Sequence, residues 1–167
     1  MHDDPRRVTA AVRFVAISEP DFHAWLIEAI PSFALNNVED GRWTLAESIE
    51  KSREAQDALL PQGLHTPGQF FVHLHDAGSD ERVGMLWWTE ADKHGKSDAY
   101  VYNITLAEAA RRRGYARAAL LELERVARAH GRQGLSLHVF GHNHGARRLY
   151  ESLGFEPTSL TLRKALP

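Results

Sequence analysis

The run Arg111–Arg112–Arg113–Gly114–Tyr115–Ala116 sets three guanidinium groups and two small residues between a strand-like segment, NITL, and a long helical one. Cations are unfavourable at the start of a helix, where exposed N–H groups already carry partial positive charge. An anion at this point resolves the conflict. First-turn N–H groups would bind it. Gly114 and the small Ala116 would let backbone approach it closely. Arg111, Arg112, Arg113 and Arg117 would add contacts of the bidentate kind that phosphate takes. The spacing is neither GxGxxG after a strand nor GxxxxGK[ST], so it matches neither common nucleotide loop. By chemistry alone a solvated arginine run explains it equally well.

A second constellation lies one strand and one turn further on, in HVFGHNHGARRLYESLGF. Asn143, Ala146, Leu149 and Tyr150 fall on one helix there. Tyr150 is seven residues, or two turns, from Asn143, so both lie near one side.

Taken together these segments resemble the GNAT (GCN5-related) N-acetyltransferase superfamily, bacterial subgroup. The family's acetyl-CoA signature, Arg/Gln-x-x-Gly-x-Gly/Ala, is met by Arg111, Gly114 and Ala116. Its following motif, Asn-x-x-Ala-x-x-Leu-Tyr-x-x-x-Gly-Phe, is met by Asn143, Ala146, Leu149, Tyr150, Gly154 and Phe155. LLPQGLHTPGQFF, residues 59–71, resembles a recurring segment of a bacterial subgroup, which extends the likeness over nearly the whole chain.

The resemblance implies an α/β (α+β) domain over 1–167 with the GNAT-like acyl-CoA N-acyltransferase fold: a mixed, mostly antiparallel central sheet, two of its strands splayed, flanked by helices. It implies acetyl-CoA as co-substrate, with the pyrophosphate on the backbone of Arg112, Arg113, Gly114, Tyr115, Ala116 and Arg117. The pantetheine arm would run along Ile104, Thr105 and Leu106, pairing with backbone at Ile104 and Leu106. Asn143 and Ala146 would face the cofactor arm and Tyr150 its sulfur. The implied reaction is direct attack of a primary amine, of a small molecule or a protein, on the acetyl carbonyl. A backbone N–H such as that of Leu106 would polarise that carbonyl. An ordinary tyrosine titrates near 10 and a thiol near 8.5, so neutral Tyr150 would stabilise or protonate the departing thiolate. Asn103 stands where a carboxylate base would be convenient and cannot serve as one. Glu39, Asp40 and Glu90 qualify only by charge, and a water relay ranks before them. A homodimer is compatible with the family.

The elements that must hold these groups follow from pattern. VRFVAI, before Ser18, reads as a strand. Ser18 and Asp21, with Pro20 in the first turn, open a helix that should run to about Ile30 and stop at Pro31, leaving PSFALNNVEDGRW as loop. Thr44 and Glu47 form a capping box for a helix to about Leu60. FFVHLH (70–75), VGMLWWT (83–89) and AYVYNITL (99–106) alternate as an antiparallel meander linked by DAGSDE and ADKHGKSD. Leu120, Leu123, Val126 and Ala127 mark a helix over 115–130, with Gly131 at its end. LSLHVF (135–140) reads as a strand, a short helix follows Asn143, and LTLRK closes the chain as a strand.

The totals fit such a domain. The chain has 167 residues, 43% hydrophobic and 25% charged, and no cysteine, which excludes disulfides and thiol catalysis. No apolar run approaches a membrane span and no leader pattern is visible, so a cytoplasmic protein is expected. Net charge is −2, but residues 1–110 carry −9 and residues 111–167 carry +7. The basic part suits a polyanionic ligand and the acidic part tolerates a cationic one. The rival readings are a catalytically silent CoA-binding regulator and a nucleic-acid-binding protein. No aromatic–basic stacking array supports the latter. His138, His142 and His144 spread over a strand and a turn rather than one helix face, so no metal site is expected. Trp25 and Trp87 are expected in the core.

Overall fold

The three alternating segments pair as the meander their pattern demands. In the computed structural model, which describes residues 10–90 and 97–166, five strands form one sheet in the order β1-β2-β3-β4-β5. These are β1 (Val12–Ala16), β2 (Gln69–Asp76), β3 (Arg82–Thr89), β4 (Asp98–Leu106) and β5 (Gly134–Leu137). The first four are mutually antiparallel, and β5 joins β4 in parallel after a helical crossover. Most of the expected ADKHGKSD link, residues 91–96, lies outside the described residues.

Among the described residues four α-helices flank the sheet: α1 (Glu19–Glu39), α2 (Leu45–Leu59), α3 (Tyr115–Ala129) and α4 (His144–Ser152). Their starts are encoded locally. The Ser18 hydroxyl accepts from the Asp21 N–H at 3.3 Å, and the Thr44 N–H donates to Glu47 at 3.0 Å, each cap being worth about 1 kcal/mol.

Residue alternation divides the core between two faces. Leu74, Leu86, Trp88, Ala99 and Val101 meet Ala119, Leu120, Leu123 and Ala127 of α3 on one face. On the other, Phe71, Met85 and Trp87 meet Phe22 of α1, with Trp25 packed against them. There Phe71 stacks on Trp87 at 5.1 Å and Trp87 on Tyr102 at 4.4 Å between ring centroids. Such pairs add about 0.5–1.5 kcal/mol each beyond the area they bury.

Three expectations fail. Pro31 does not end α1, which continues to Glu39 and takes in most of the segment read as loop. Proline removes one N–H from the helix ladder, and the carbonyl so freed belongs to Ile27, a 76% exposed residue within reach of water. The carbonyl of Ile30, the residue before the proline, accepts the Ser52 hydroxyl of α2 at 2.7 Å, and Asn37 donates to the Phe33 carbonyl at 2.9 Å. One tertiary bond, from Ser52, and one side-chain bond within the helix, from Asn37, thus support the stretch that proline weakens. Second, β5 stops at Leu137 instead of Phe140, where the chain leaves the ladder and Phe140 packs against His142 and Arg42. Third, LTLRK forms no strand. It has reached no sheet edge, and Leu160 and Leu162 stay 71% and 89% exposed.

Candidate active site

Two left-handed residues shape the loop before α3. Arg112 has φ +58° and Gly114, the N-cap of α3, φ +91°. Left-handed backbone is costly for arginine and nearly free for glycine. The loop is held from below by Tyr115, whose hydroxyl donates to Asp76 at 2.8 Å. The Tyr115 ring is buried in the main core, so that side chain is structural and only its backbone faces the loop. Arg111 donates from Nε to the Leu106 carbonyl at 3.3 Å. Arg113 reaches the Ala109 carbonyl and lies 5.4 Å over the Tyr115 ring. Arg117 reaches Ser152 on α4.

Beside this loop the sheet opens. The β4–β5 ladder runs from Asp98/Gly134 to Val101/Leu137 and no further, while β4 itself continues to Leu106. On the β3 side Ala107 donates to the Val83 carbonyl at 2.9 Å. Antiparallel pairs alternate between bonded and non-bonded. The N–H groups of Leu106 and Ile104 therefore point away from β3, into the opening. That of Thr105 points toward β3, and its exposed hydroxyl donates to Asn103 at 2.7 Å. Ile104 and Leu106 thus share the opening and Thr105 does not. Close pairing of β3 with β4 here depends on Gly84, where a Cβ would sit 2.3 Å from the Thr105 carbonyl oxygen and 2.8 Å from Leu106 Cδ2. Sequence reading overlooked Gly84, although a glycine within a strand signals close backbone approach.

The third wall is α4. Asn143 caps it, its Oδ1 accepting the Ala146 N–H at 3.2 Å. That role occupies the oxygen and leaves the amide N–H groups as donors. Leu106, Arg112, Gly114, Tyr115, Ala116, Arg117, Gly145, Arg148 and Leu149 line one cavity of about 380 Å³. Leu149 of the second motif thus joins Gly114 and Ala116 of the first at one cavity, while Arg111, Asn143, Ala146 and Tyr150 are not among its lining residues. Gly145 and Arg148 were missed, and Arg148 adds a cation where α4 faces the loop. Tyr150 packs at the edge of the main core, 5.6 Å from Phe155 between ring centroids. Burial pushes its phenol above the ordinary 10, and its hydroxyl makes no hydrogen bond among the described residues.

None of the acidic candidates lines the cavity. Glu90 is buried at the far end of β3, 2.8 Å from His130 and 3.3 Å from the Trp88 indole nitrogen. It lies six residues from Gly84, the partner of Leu106, or about 20 Å along a strand, which removes it as a base for chemistry at the opening. Glu39 pairs with His142 at 3.3 Å and Asp40 with Arg42 at 2.6 Å. Burial and the Arg42 charge push the His138 imidazole below its ordinary value. Among the described residues no group of three or more His, Asp or Glu side chains is arranged to hold a metal ion, and no helix is long and apolar enough to cross a membrane.

A five-stranded, mostly antiparallel sheet that opens between β4 and β5, with an arginine-rich loop at the opening, defines an acyltransferase architecture. The family model for the acetyltransferase (GNAT) family matches residues 34–155, and the chain belongs to that family. Among its relatives are two Bacillus subtilis proteins described as uncharacterized N-acetyltransferases. YdgE is 36% identical over 90% of this chain and 95% of its own length. YycN is 36% identical over 87% and 93%. The crystal structure of YycN superposes with a TM-score of 0.86 at 34% identity, covering 94% of this chain and 99% of that one. A mycothiol acetyltransferase of Beutenbergia cavernae is 29% identical over 90% of this chain but only 46% of its own length.

Proposed function

We propose that this protein is an acetyl-CoA-dependent N-acetyltransferase that transfers the acetyl group to a primary amine by direct attack. The observation that carries the proposal is the shared cavity. The Arg112–Arg117 loop, Arg148 of α4 and the end of the open β4 edge converge there. First-turn N–H groups, two left-handed backbone positions and several guanidinium groups suit a pyrophosphate. The Ile104 and Leu106 amides suit an extended, amide-bearing arm that replaces the missing β5 partner. Acetyl-CoA, when bound, supplies the activated thioester.

The chain's own groups supply the rest. Of the two β4 N–H groups that face the opening, one donates to the carbonyl oxygen as charge develops on it and the other stays with the arm. Tyr150, neutral at pH 7, donates to the departing sulfur. Because burial raises its pKa further from the thiol's ordinary value of about 8.5, full proton transfer is less favourable and hydrogen bonding to the thiolate is the stronger role. Among the described residues no carboxylate lines the cavity, which favours removal of the amine proton through water.

Calorimetry with acetyl-CoA tests the cofactor. Micromolar binding that is lost in Gly114→Glu, with the far-UV spectrum unchanged, supports the reading; absence of binding to the wild-type protein sinks it. Screening amines for release of free thiol identifies the acceptor.

A further inference from the structure

The β4–β5 opening is wide beside the arginine loop and closes at the Val101/Leu137 pair. From Leu106 to Val101 is five steps of strand, about 17 Å. A cofactor gripped by its pyrophosphate at the wide end therefore carries its thioester toward the closed end. His138 is the first residue past that end, where the chain leaves β5.

Alternation fixes the side His138 takes. Leu135 and Leu137 pack into the core with α3, so His138 turns to the opposite face, the one α1 covers. Its contacts agree. His138 meets Phe140 edge-on at 5.1 Å, and Phe140 lies under the Arg42 guanidinium. The charges acting on His138 are those of Arg42 and Asp40, both in the turn after α1. Continued past Val101/Leu137, the register would set His138 opposite Tyr102, at the β3–β4 bulge. Because α3 and α4 both pack on the other face, the α1 face is the side left for an incoming acceptor.

The ring is in a state to take up a proton. It is exposed, and neither nitrogen has a hydrogen-bond partner among the described residues. His142, in the same loop, is already committed, its Nε2 meeting Asn36 and Glu39 at 3.3 Å each. Partial loss of water and then the Arg42 charge hold the His138 imidazole below its ordinary value, against the opposing pull of Asp40. It is therefore neutral at pH 7. The other ionisable groups of the surrounding elements are Glu39 and His142, paired with each other, and the uncharged Tyr100 and Tyr102 phenols of β4.

We propose that His138 is the proton acceptor of the reaction, its free ring nitrogen ending the water relay that deprotonates the acceptor amine. This rests on the amine-acetylation reading above and names where the proton goes. The amine arrives as an ammonium ion. One N–H bond breaks, and its proton passes through water to the imidazole. The electron pair left on nitrogen forms the new bond to the acetyl carbon. As the C–S bond breaks, its pair leaves on sulfur, which takes the second proton given up by the product nitrogen. The imidazolium then returns its proton to solvent.

The pH profile of kcat tests this on the full chain. It is followed as free-thiol release from acetyl-CoA with the primary amine turned over fastest in the screen. Wild-type kcat should fall in an acid limb that coincides with the NMR titration of the His138 ring in the CoA-bound protein. His138→Gln should lower kcat about 10²-fold and abolish the limb, with the far-UV spectrum and acetyl-CoA affinity unchanged. Two variants that keep the histidine give opposite shifts. Arg42→Gln removes a positive charge and should move the limb to higher pH, and Asp40→Asn removes a negative one and should move it to lower pH. Unchanged kcat in His138→Gln, a limb that survives there, or a limb that the Arg42 and Asp40 variants fail to move apart would overturn the assignment alone. If acetyl-CoA binds but no amine releases thiol, the acetyl-transfer reading falls and takes the assignment with it.

Discussion

The Tyr115 hydroxyl donates to Asp76 at 2.8 Å, joining the first residue of α3 to the last residue of β2 across 39 positions of sequence. Asp76 also accepts from Ser79 and Gly78 in the β2–β3 turn. The same carboxylate therefore shapes a hairpin and anchors the arginine loop. The Ser79 backbone bond, the Tyr115 hydroxyl and the Ser79 hydroxyl pull its pKa from 3.8 to about 2.

A folded-state pKa below the unfolded one stabilises the fold above the unfolded value and ceases to do so as pH falls through the folded value. Asp76 should thus help stability fully at neutral pH and lose its effect between about pH 4 and 2. Asp76→Asn should lower the urea midpoint at pH 7 and flatten the acid limb of the stability profile. Asp21, held down to about 2 chiefly by Ser18 and then by His73, should preserve a residual slope. Tyr115→Phe should weaken acetyl-CoA binding by loosening the loop, which calorimetry would register.

Gly84→Ala should be among the most damaging single-methyl changes. The Thr105 carbonyl it would strike is backbone and cannot rotate away. A loss of about 1–3 kcal/mol is expected from such overpacking, read by urea unfolding, with turnover falling because β4 is displaced at Leu106.

Gly114→Ala should cost about 1–2 kcal/mol, the strain of a left-handed residue with a Cβ, since φ there is +91°. Among the described residues the Cβ itself meets only Ala10, at 3.4 Å. Stability should fall modestly, then, and acetyl-CoA affinity should fall with it as the loop relaxes.

Tyr150→Phe separates chemistry from packing. The hydroxyl makes no hydrogen bond among the described residues, so the urea midpoint should barely move. If Tyr150 donates to the leaving sulfur, kcat should fall by about 10²-fold. The alkaline loss of activity in the wild-type enzyme should set in only above the ordinary tyrosine value, because burial raises this phenol. That limb should vanish in the variant.

Glu90→Gln should behave in the opposite way. It should lower stability by disturbing the His130, Trp88 and Arg132 contacts, while kcat at saturating substrate stays within about twofold of wild type.

Motifs carried in consecutive residues were legible. Arg111-x-x-Gly114-x-Ala116 and Asn143 to Tyr150 could be read because helix and turn chemistry is local, and the Thr44–Glu47 box could be read for the same reason. What escaped depended on partners distant in sequence. Pro31 looked like a stop because the Ser52 bond to Ile30 spans 22 positions. Arg148 was indistinguishable from Arg147 until α4 was seen to turn it toward the loop. Glu90 looked available because His130 is 40 positions away. LTLRK had the composition of a strand, but composition does not supply the edge against which a strand forms.

The passage of α1 through Pro31 has a mechanical corollary. At 21 residues the helix is about 30 Å long. Its first turn meets His73 and Arg82 of the sheet through Asp21. Its last turn meets His142 through Asn36 and Glu39, immediately before the cap of α4. One rod therefore links the far corner of the sheet to the residue that precedes the cap of α4. A helix broken at Pro31 would have left that residue moored to a loop; a continuous one moors it to the sheet.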